Sequence, residues 1–201
     1  MTVSLALRDV LIDGLCREGF AVVDDFLPSL HCHEIHNAVQ TLEARHVLRE
    51  AAVGRGDRQS VRTDIRRDYN AWLDEDNAPD ALMPWFSAMR ALKDALNREL
   101  YLGLVEFESQ CAVYPPGAFY RRHVDRFKDS NTRQISCVYY LNPHWEAAFG
   151  GALQLYDREG SPLAAVLPNA NRFVCFRSDL PHEVLETHEK RYSLTGWFKN
   201  R

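Results

Sequence analysis

Leu7, Val10, Leu11 and Leu15 recur at three- and four-residue spacing, which predicts an amphipathic helix over residues 5–18. The run FAVVDDF is too short for a helix and is expected to form a strand ending at Asp24. Pro28 and Ser29 open a second helix, with Ser29 as its N-cap and Ile35, Val39 and Leu42 as its buried stripe. The strongest helical pattern covers residues 79–101, where Leu82, Trp85, Met89, Leu92, Leu96 and Leu100 mark one face. Pro84 belongs in its first turn and Gly103 is expected to stop it.

From Val105 the period changes. Seven short runs read as strands: VEFESQCAVY, RQISCVYYLN, GALQLYD, PLAAVLP, NRFVCFRS, HEVLE and RYSLTGWFK. Turn clusters rich in Pro, Gly, Asn and Asp separate them. Helices first and strands second predict an α+β, mainly β fold. The near-regular short strands suggest an all-β barrel or jelly roll (a cupin-like double-stranded β-helix) buttressed by N-terminal helices. The chain is expected to be one domain over 1–201, with helical support and a mobile loop in 1–103 and the jelly-roll core in 104–201. Residues 45–67 carry seven arginines (Arg45, Arg49, Arg55, Arg58, Arg62, Arg66 and Arg67) with few large apolar side chains, and read as an exposed, mobile loop. The sharper reading of that stretch is a cover that grips an acidic or backbone-rich partner.

Composition narrows the function classes. With 201 residues, 46% hydrophobic, 26% charged and a net charge of −4, the chain resembles an ordinary globular protein. No global basic field recruits nucleic acid or an anionic membrane, and no apolar run approaches the roughly 20 residues of a membrane span. Five scattered cysteines with no CxxC pair predict free thiols in a reducing compartment. The N-terminal stretch lacks a basic leader and a cleavage site, so a cytoplasmic protein is expected. No heptad seam is present, which makes a monomer the default.

His123 and Asp125 are one residue apart, so an extended strand points both side chains to one face. His182 follows after a turn on another predicted strand. Two imidazoles and a carboxylate on one face of a metal form the facial triad of non-haem Fe(II) oxygenases, which leaves positions open. An H-x-D pair by itself equally describes a surface strand with a salt-bridged histidine. Arg191, nine residues beyond His182 in the apolar strand RYSLTGW, changes the balance. A cation there needs a partner, and a dicarboxylate ligand supplies one. Tyr140 offers a phenol to the same carboxylate.

Taken in order, YPPGAFYRRHVD, SCVYYLNPHW, GGALQLY, PHEV and RYSLTGW resemble the prolyl hydroxylases of the 2-oxoglutarate/Fe(II) dioxygenase superfamily, of the hypoxia-inducible-factor type and its bacterial relatives. The resemblance runs from about Asp64 to the C-terminus and includes DIRRDYNAW; the N-terminal third matches in general layout alone. It implies that His123, Asp125 and His182 bind Fe(II), and that Arg191, helped by Tyr140, holds 2-oxoglutarate. It puts Tyr114 and Thr195 in the pocket near metal and cosubstrate, and Leu153 and Val184 in its apolar walls. Asp68, Trp72, Arg133 and Trp197 match positions at the pocket mouth or substrate groove, with Asp68 orienting its neighbours. The implied cosubstrates are 2-oxoglutarate and O₂, with ascorbate as an auxiliary reductant. The implied partner is a protein presenting an exposed proline, with elongation factor Tu preferred for a bacterial source. Residues 52–64 fall where the family carries a mobile substrate-covering loop, although the arginine-rich content is this chain's own. Three readings stay open: the same chemistry on a small molecule or free amino acid, a metal-holding jelly roll without catalysis, and a cupin-type isomerase or hydrolase. The carboxylate of Asp125 argues against a halogenase, which needs a small residue there.

Other polar clusters carry less. His31, His33 and His36 in HCHEIH do not share one helix face, so a solvated surface is expected, with Cys32 packed beneath. His144 and His188 read as turn residues. Gly150–Gly151 is no phosphate loop, because no GK[ST] or helix follows. Cys137 and Cys175 read as small core residues.

Overall fold

The two sequence periods sort into two kinds of element in the computed structural model, which describes residues 5–54, 60–126 and 132–201. In chain order these are α1 (Leu5–Arg17), β1 (Phe20–Val23), α2 (Ser29–Ala44), β2 (Arg49–Glu50), β3 (Ala52–Val53), β4 (Ser60–Val61), β5 (Tyr69–Leu73) and α3 (Met83–Leu100). There follow β6 (Glu106–Tyr114), β7 (Tyr120–His123), β8 (Arg133–Tyr140), β9 (Leu153–Tyr156), β10 (Pro162–Val166), β11 (Phe173–Arg177), β12 (His182–Val184) and β13 (Arg191–Lys199). Among the described residues no helix is long and apolar enough to cross a membrane.

Seven strands form one sheet in the order β1-β11-β8-β13-β6-β5-β2, and four form a second in the order β10-β9-β12-β7. Pairing within both sheets is antiparallel, as expected for the jelly roll. Each strand of the large sheet sorts its side chains by alternation. Cys111, Val113, Cys137, Tyr139, Phe173 and Cys175 enter the core on the helical side. Ala112, Tyr114, Val138, Tyr140, Val174 and Phe176 enter the core between the sheets. In β13 the same alternation sends Tyr192, Leu194 and Phe198 to the helices. It leaves Arg191, Ser193, Thr195 and Trp197 lining a cavity. Gly196 is required midway, because a Cβ there would lie 2.4 Å from the Phe107 ring.

The helices cover the outer face of the large sheet. Trp85 of α3 is fully buried, stacks 5.7 Å from the Tyr139 ring and donates its indole N–H to Ser109 Oγ at 3.0 Å.

Several expectations need correction. Val10 is 52% exposed, because α1 turns Leu11 and Leu15 into the core, with Leu7 and Ile12 at its edge. Ser29 is the first residue of α2, not its cap; Pro28 occupies the cap position and no side chain caps the helix. The helix α3 ends at Tyr101 in the left-handed region (φ 53°), two residues before Gly103. Asn97 makes this possible by bonding both the N–H and the C=O of Leu104. Three strands of the large sheet, β1, β2 and β5, come from before residue 104, so the sheet crosses the expected division at 103/104. The stretch 45–67 is not one loop, because β3 and β4 pair and Arg66 is buried. Residues 55–59 of the expected covering loop, with Arg55 and Arg58, lie outside the described residues. His36 is not solvated but bonds through Nδ1 to the carbonyl of Leu141 and packs on Tyr192.

Candidate active site

Strand β7, a four-residue run absent from the expected strands, pairs with β12 so that His123 and His182 are direct register neighbours. Their ring centroids are 4.2 Å apart. The strand ends at His123 and the chain bends, so Asp125 does not sit on an extended strand as expected. Its position comes from the backbone: the N–H groups of Asp125 and Arg126 both donate to Ser178 O, at 3.1 and 3.0 Å. Asp125 Oδ1 then lies 3.7 Å from His123 Nε2, and Asp125 Oδ2 lies 3.5 Å from His182 Nε2. One donor atom from each residue falls within 4.8 Å of the others.

Both imidazoles are oriented from behind. His123 Nδ1 bonds Arg121 O at 2.8 Å and His182 Nδ1 bonds Leu180 O at 2.9 Å. A carbonyl can only accept, so Nδ1 carries the proton and both Nε2 lone pairs face the centre. Burial, then the neighbouring His182, pushes His123 down to about 3, which keeps its ring neutral. Burial works to raise the Asp125 carboxyl. The Arg133 guanidinium and the Ser136 hydroxyl favour its ionised form, as either imidazole would if protonated, and Asp125 is held below its usual value. Ser136 Oγ donates to Asp125 Oδ2 at 2.7 Å and is itself 2.8 Å from Ser178 Oγ.

A cavity of about 560 Å³ opens in front of the three residues. The buried Tyr114, Leu153, Val184 and Arg191 line it together with the half-buried Thr195. Trp72, Arg133 and Trp197 line it as well, and Trp72 is 53% exposed at its rim. Arg191 is 2% exposed. Its Nε donates to Gly151 O at 3.0 Å and its Nη1 to Ser193 Oγ at 3.3 Å, while its guanidinium carbon lies 4.8 Å from the Tyr114 ring centre. Gly151, at φ 67°, permits that approach: a Cβ would lie 3.2 Å from Arg191 Cδ. Among the described residues no carboxylate pairs with Arg191. Tyr140 does not line the cavity; it lies behind, its ring centre 5.0 Å from the Arg191 guanidinium carbon and its buried hydroxyl without a hydrogen-bond partner.

With this geometry in hand, the chain can be set beside known proteins. The profile described as "2OG-Fe(II) oxygenase superfamily" matches residues 109–199. Human prolyl hydroxylase EGLN3 is 30% identical over 198 residues, 94% of this chain and 82% of that protein. The chain belongs to this superfamily. A Pseudomonas putida prolyl-4-hydroxylase structure is 39% identical, with a TM-score of 0.86 over 97% of this chain and 99% of that one. The structure of a Trichoplax adhaerens prolyl hydroxylase with a peptide fragment of hypoxia inducible factor is 28% identical, with a TM-score of 0.86 over 97% and 90%. The chain spans 46% of the length of human Egl nine homolog 1, to which it is 29% identical over 197 residues.

Dioxygenases of this superfamily use Fe(II), 2-oxoglutarate and O₂, and the residues present fit those groups. Two neutral imidazole nitrogens and a carboxylate oxygen are the donor set of a facial triad. A buried guanidinium without a carboxylate and an orphaned phenol beside it fit a dicarboxylic keto acid.

Four residues near the centre escaped the sequence reading. Tyr120 stacks on His123, with centroids 3.6 Å apart and rings 17° from parallel. Arg66 lies over the other ring, 4.2 Å from the Tyr120 centre. Asp68 holds Arg66 through two bonds, at 2.7 and 2.5 Å, so Asp68 supports the rim from behind and does not line it. Ser136 and Ser178 support Asp125. Ser136 was findable, since it shares the inward face of β8 with Val138 and Tyr140.

At the rim, Glu108 accepts from Arg133 at 2.9 Å and from Lys199 at 2.9 Å, and the Arg133 guanidinium sits 3.9 Å over the Trp197 ring. Burial works to raise the Glu108 carboxyl, but Lys199 and Arg133 outweigh it and hold it below its usual 4.5. A group depressed on folding stabilises the fold above its unfolded value and stops doing so as pH falls through its folded value. Thermal melts of Glu108→Gln should therefore show a flatter loss of stability than wild type below about pH 4.5. Parallel acid limbs would remove Glu108 from the acid response.

Proposed function

We propose that this protein is an Fe(II)- and 2-oxoglutarate-dependent hydroxylase of a prolyl residue in a protein substrate. The observation that carries the reading is the unpaired, buried Arg191 in the same cavity as the converging His123, Asp125 and His182. The three hold the metal through Nε2, a carboxylate oxygen and Nε2. Arg191 pairs with the distal carboxylate of 2-oxoglutarate, and Tyr140 backs the guanidinium from outside the cavity. Tyr114 and Thr195 offer hydroxyls beside the cosubstrate, while Leu153 and Val184 exclude water from it. When bound, the metal with 2-oxoglutarate and O₂ supplies oxidative decarboxylation to succinate and CO₂ and the transfer of one oxygen atom to a C–H bond. Each imidazole holds Nδ1 on a backbone carbonyl and turns Nε2 to the centre, so both rings offer the metal the same atom.

The exposed rim at Trp72, with Arg133 and Trp197, favours a polypeptide over a small molecule, which a closed pocket would suit better. Asp68 serves by fixing Arg66. The whole chain acts as one catalytic unit and as a monomer, in the cytoplasm, with ascorbate maintaining the ferrous state. The free thiols of Cys16, Cys32, Cys111, Cys137 and Cys175 are compatible with a reducing compartment. Elongation factor Tu is the preferred substrate. Incubation with enzyme, Fe(II), 2-oxoglutarate and ¹⁸O₂ should add one labelled oxygen to a single proline of that protein. Absence of label from every proline of that protein would remove it as the substrate.

The Arg66–Tyr120–His123 stack holds the more exposed imidazole of the pair. Tyr120→Leu should weaken Co(II) affinity about tenfold, the lower range for partners that orient a metal ligand, and Tyr120→Phe should restore it. Equal affinity in all three proteins, by absorption titration, would assign the stack a packing role alone.

A further inference from the structure

The segment Arg62–Arg67 runs beside β7, through bonds from Arg67 N to Phe119 O (3.1 Å) and from Arg121 N to Ile65 O (2.8 Å). This brings Arg62, Arg66, Arg67, Arg121 and Arg122 to one corner of the molecule. Arg62 and Arg66 are paired with Asp64 and Asp68. The other three are exposed, and among the described residues no carboxylate lies within ion-pair distance of them. They are nevertheless fixed in place. The guanidinium carbons of Arg67 and Arg121 lie 4.9 and 4.5 Å from the Phe119 ring centre, and that of Arg122 lies 3.4 Å from the Tyr156 ring centre. Arg67 Nε also donates to Thr63 O at 2.9 Å. Glu183 is bonded to the Tyr156 hydroxyl instead of to Arg122. Arg122 lines the active-site cavity and immediately precedes His123.

Such an arrangement is unusual on a chain of net charge −4, whose other surface arginines such as Arg158, Arg172 and Arg177 have acidic partners. Stacking on an aromatic face lowers the side-chain entropy lost when a ligand engages the fork, and guanidinium forks match carboxylates. We propose that Arg67, Arg121 and Arg122 form a docking ledge for acidic residues directly flanking the target proline. This rests on the prolyl hydroxylase reading and adds a substrate class to it: prolines in Asp- or Glu-bearing segments. A polypeptide is favoured over nucleic acid because the ledge has no free stacking face. Phe119 and Tyr156 are buried beneath the guanidinium groups, and bases need open aromatic rings.

The test uses three labelled peptides with one central proline flanked by Glu, by Gln or by Lys. Binding to the full chain, loaded with Mn(II) and an inert 2-oxo acid analogue, is followed by fluorescence anisotropy. The Glu-flanked peptide should bind about tenfold more tightly than the Gln-flanked one at low salt, a gap that narrows as salt rises. The exposed double variant Arg67→Ser/Arg121→Ser should fold as wild type by thermal melt and shrink the gap to about twofold. Equal binding of Glu- and Gln-flanked peptides, or an undiminished gap in the variant, would overturn the ledge. So would a single-stranded oligonucleotide that binds more tightly than the Glu-flanked peptide. Loaded enzyme separates the two levels. Oxygen added equally to all three peptides removes the ledge and keeps the hydroxylase. Consumption of 2-oxoglutarate with no oxygen on any proline of these peptides or of elongation factor Tu removes the prolyl reading.

Discussion

Arg191→Met should cost the protein its 2-oxoglutarate affinity and at the same time raise the melting temperature of the metal-free chain. The first effect follows from the missing counter-ion. Truncating one member of a buried, hydrogen-bonded charge pair costs about 2–5 kcal/mol, or about thirtyfold to several thousandfold in affinity. The second follows from the same fact. Arg191 is 2% exposed, and among the described residues it meets Gly151 O, Ser193 Oγ and the Tyr114 and Tyr140 rings but no carboxylate, so the free protein carries a buried charge without a counter-ion. Met replaces it with an apolar chain of similar reach. Each kcal/mol relieved should raise the melting temperature by about 2–4 °C in a chain of this size. Arg191→Lys keeps the charge and loses the fork, so it should fall between the two. Calorimetric titration of the Mn(II) protein and thermal melts of the apo protein read both effects. Unchanged affinity in Arg191→Met would move the dicarboxylate anchor elsewhere.

His182→Ala should abolish stoichiometric metal binding while leaving the fold intact. His182 occupies the middle of the small sheet, between β7 and β9, with its ring 4.7 Å from Phe176 and 4.2 Å from His123. Removing it leaves a two-donor site. Partners that merely orient a ligand are worth about 10- to 100-fold in affinity, so loss of a ligand should exceed about a hundredfold. Neither neighbouring strand depends on the imidazole for its backbone pairing. Far-ultraviolet circular dichroism should therefore match wild type, and Co(II) titration should show no saturating visible band at protein-equivalent metal. A variant that binds Co(II) with wild-type affinity would exclude His182 as a ligand.

The strand faces were legible because alternation is a local property. RYSLTGWFK assigns Tyr192, Leu194 and Phe198 to one face and Arg191, Ser193, Thr195 and Trp197 to the other before any tertiary contact is known. The triad and Arg191 were legible for a different reason: their donor chemistry belongs to the residue types. What escaped depends on partners distant in sequence. The run YRRH has no apolar alternation and becomes β7 only by pairing with β12. Arg66 reads as one more loop charge until Asp68 and the Tyr120 ring enclose it. Asp125 leaves the strand because Ser178, 53 residues away, takes its backbone N–H. The left-handed turn at Tyr101 likewise rests on the two bonds of Asn97 to Leu104.

The most direct test of the central claim is an anaerobic titration of the purified protein with Fe(II) and then 2-oxoglutarate, followed in the visible region. The account predicts a charge-transfer band that appears only with both present and saturates at one of each per chain. Iron bound at one per chain with no band at saturating 2-oxoglutarate would contradict it and leave a metal-holding jelly roll.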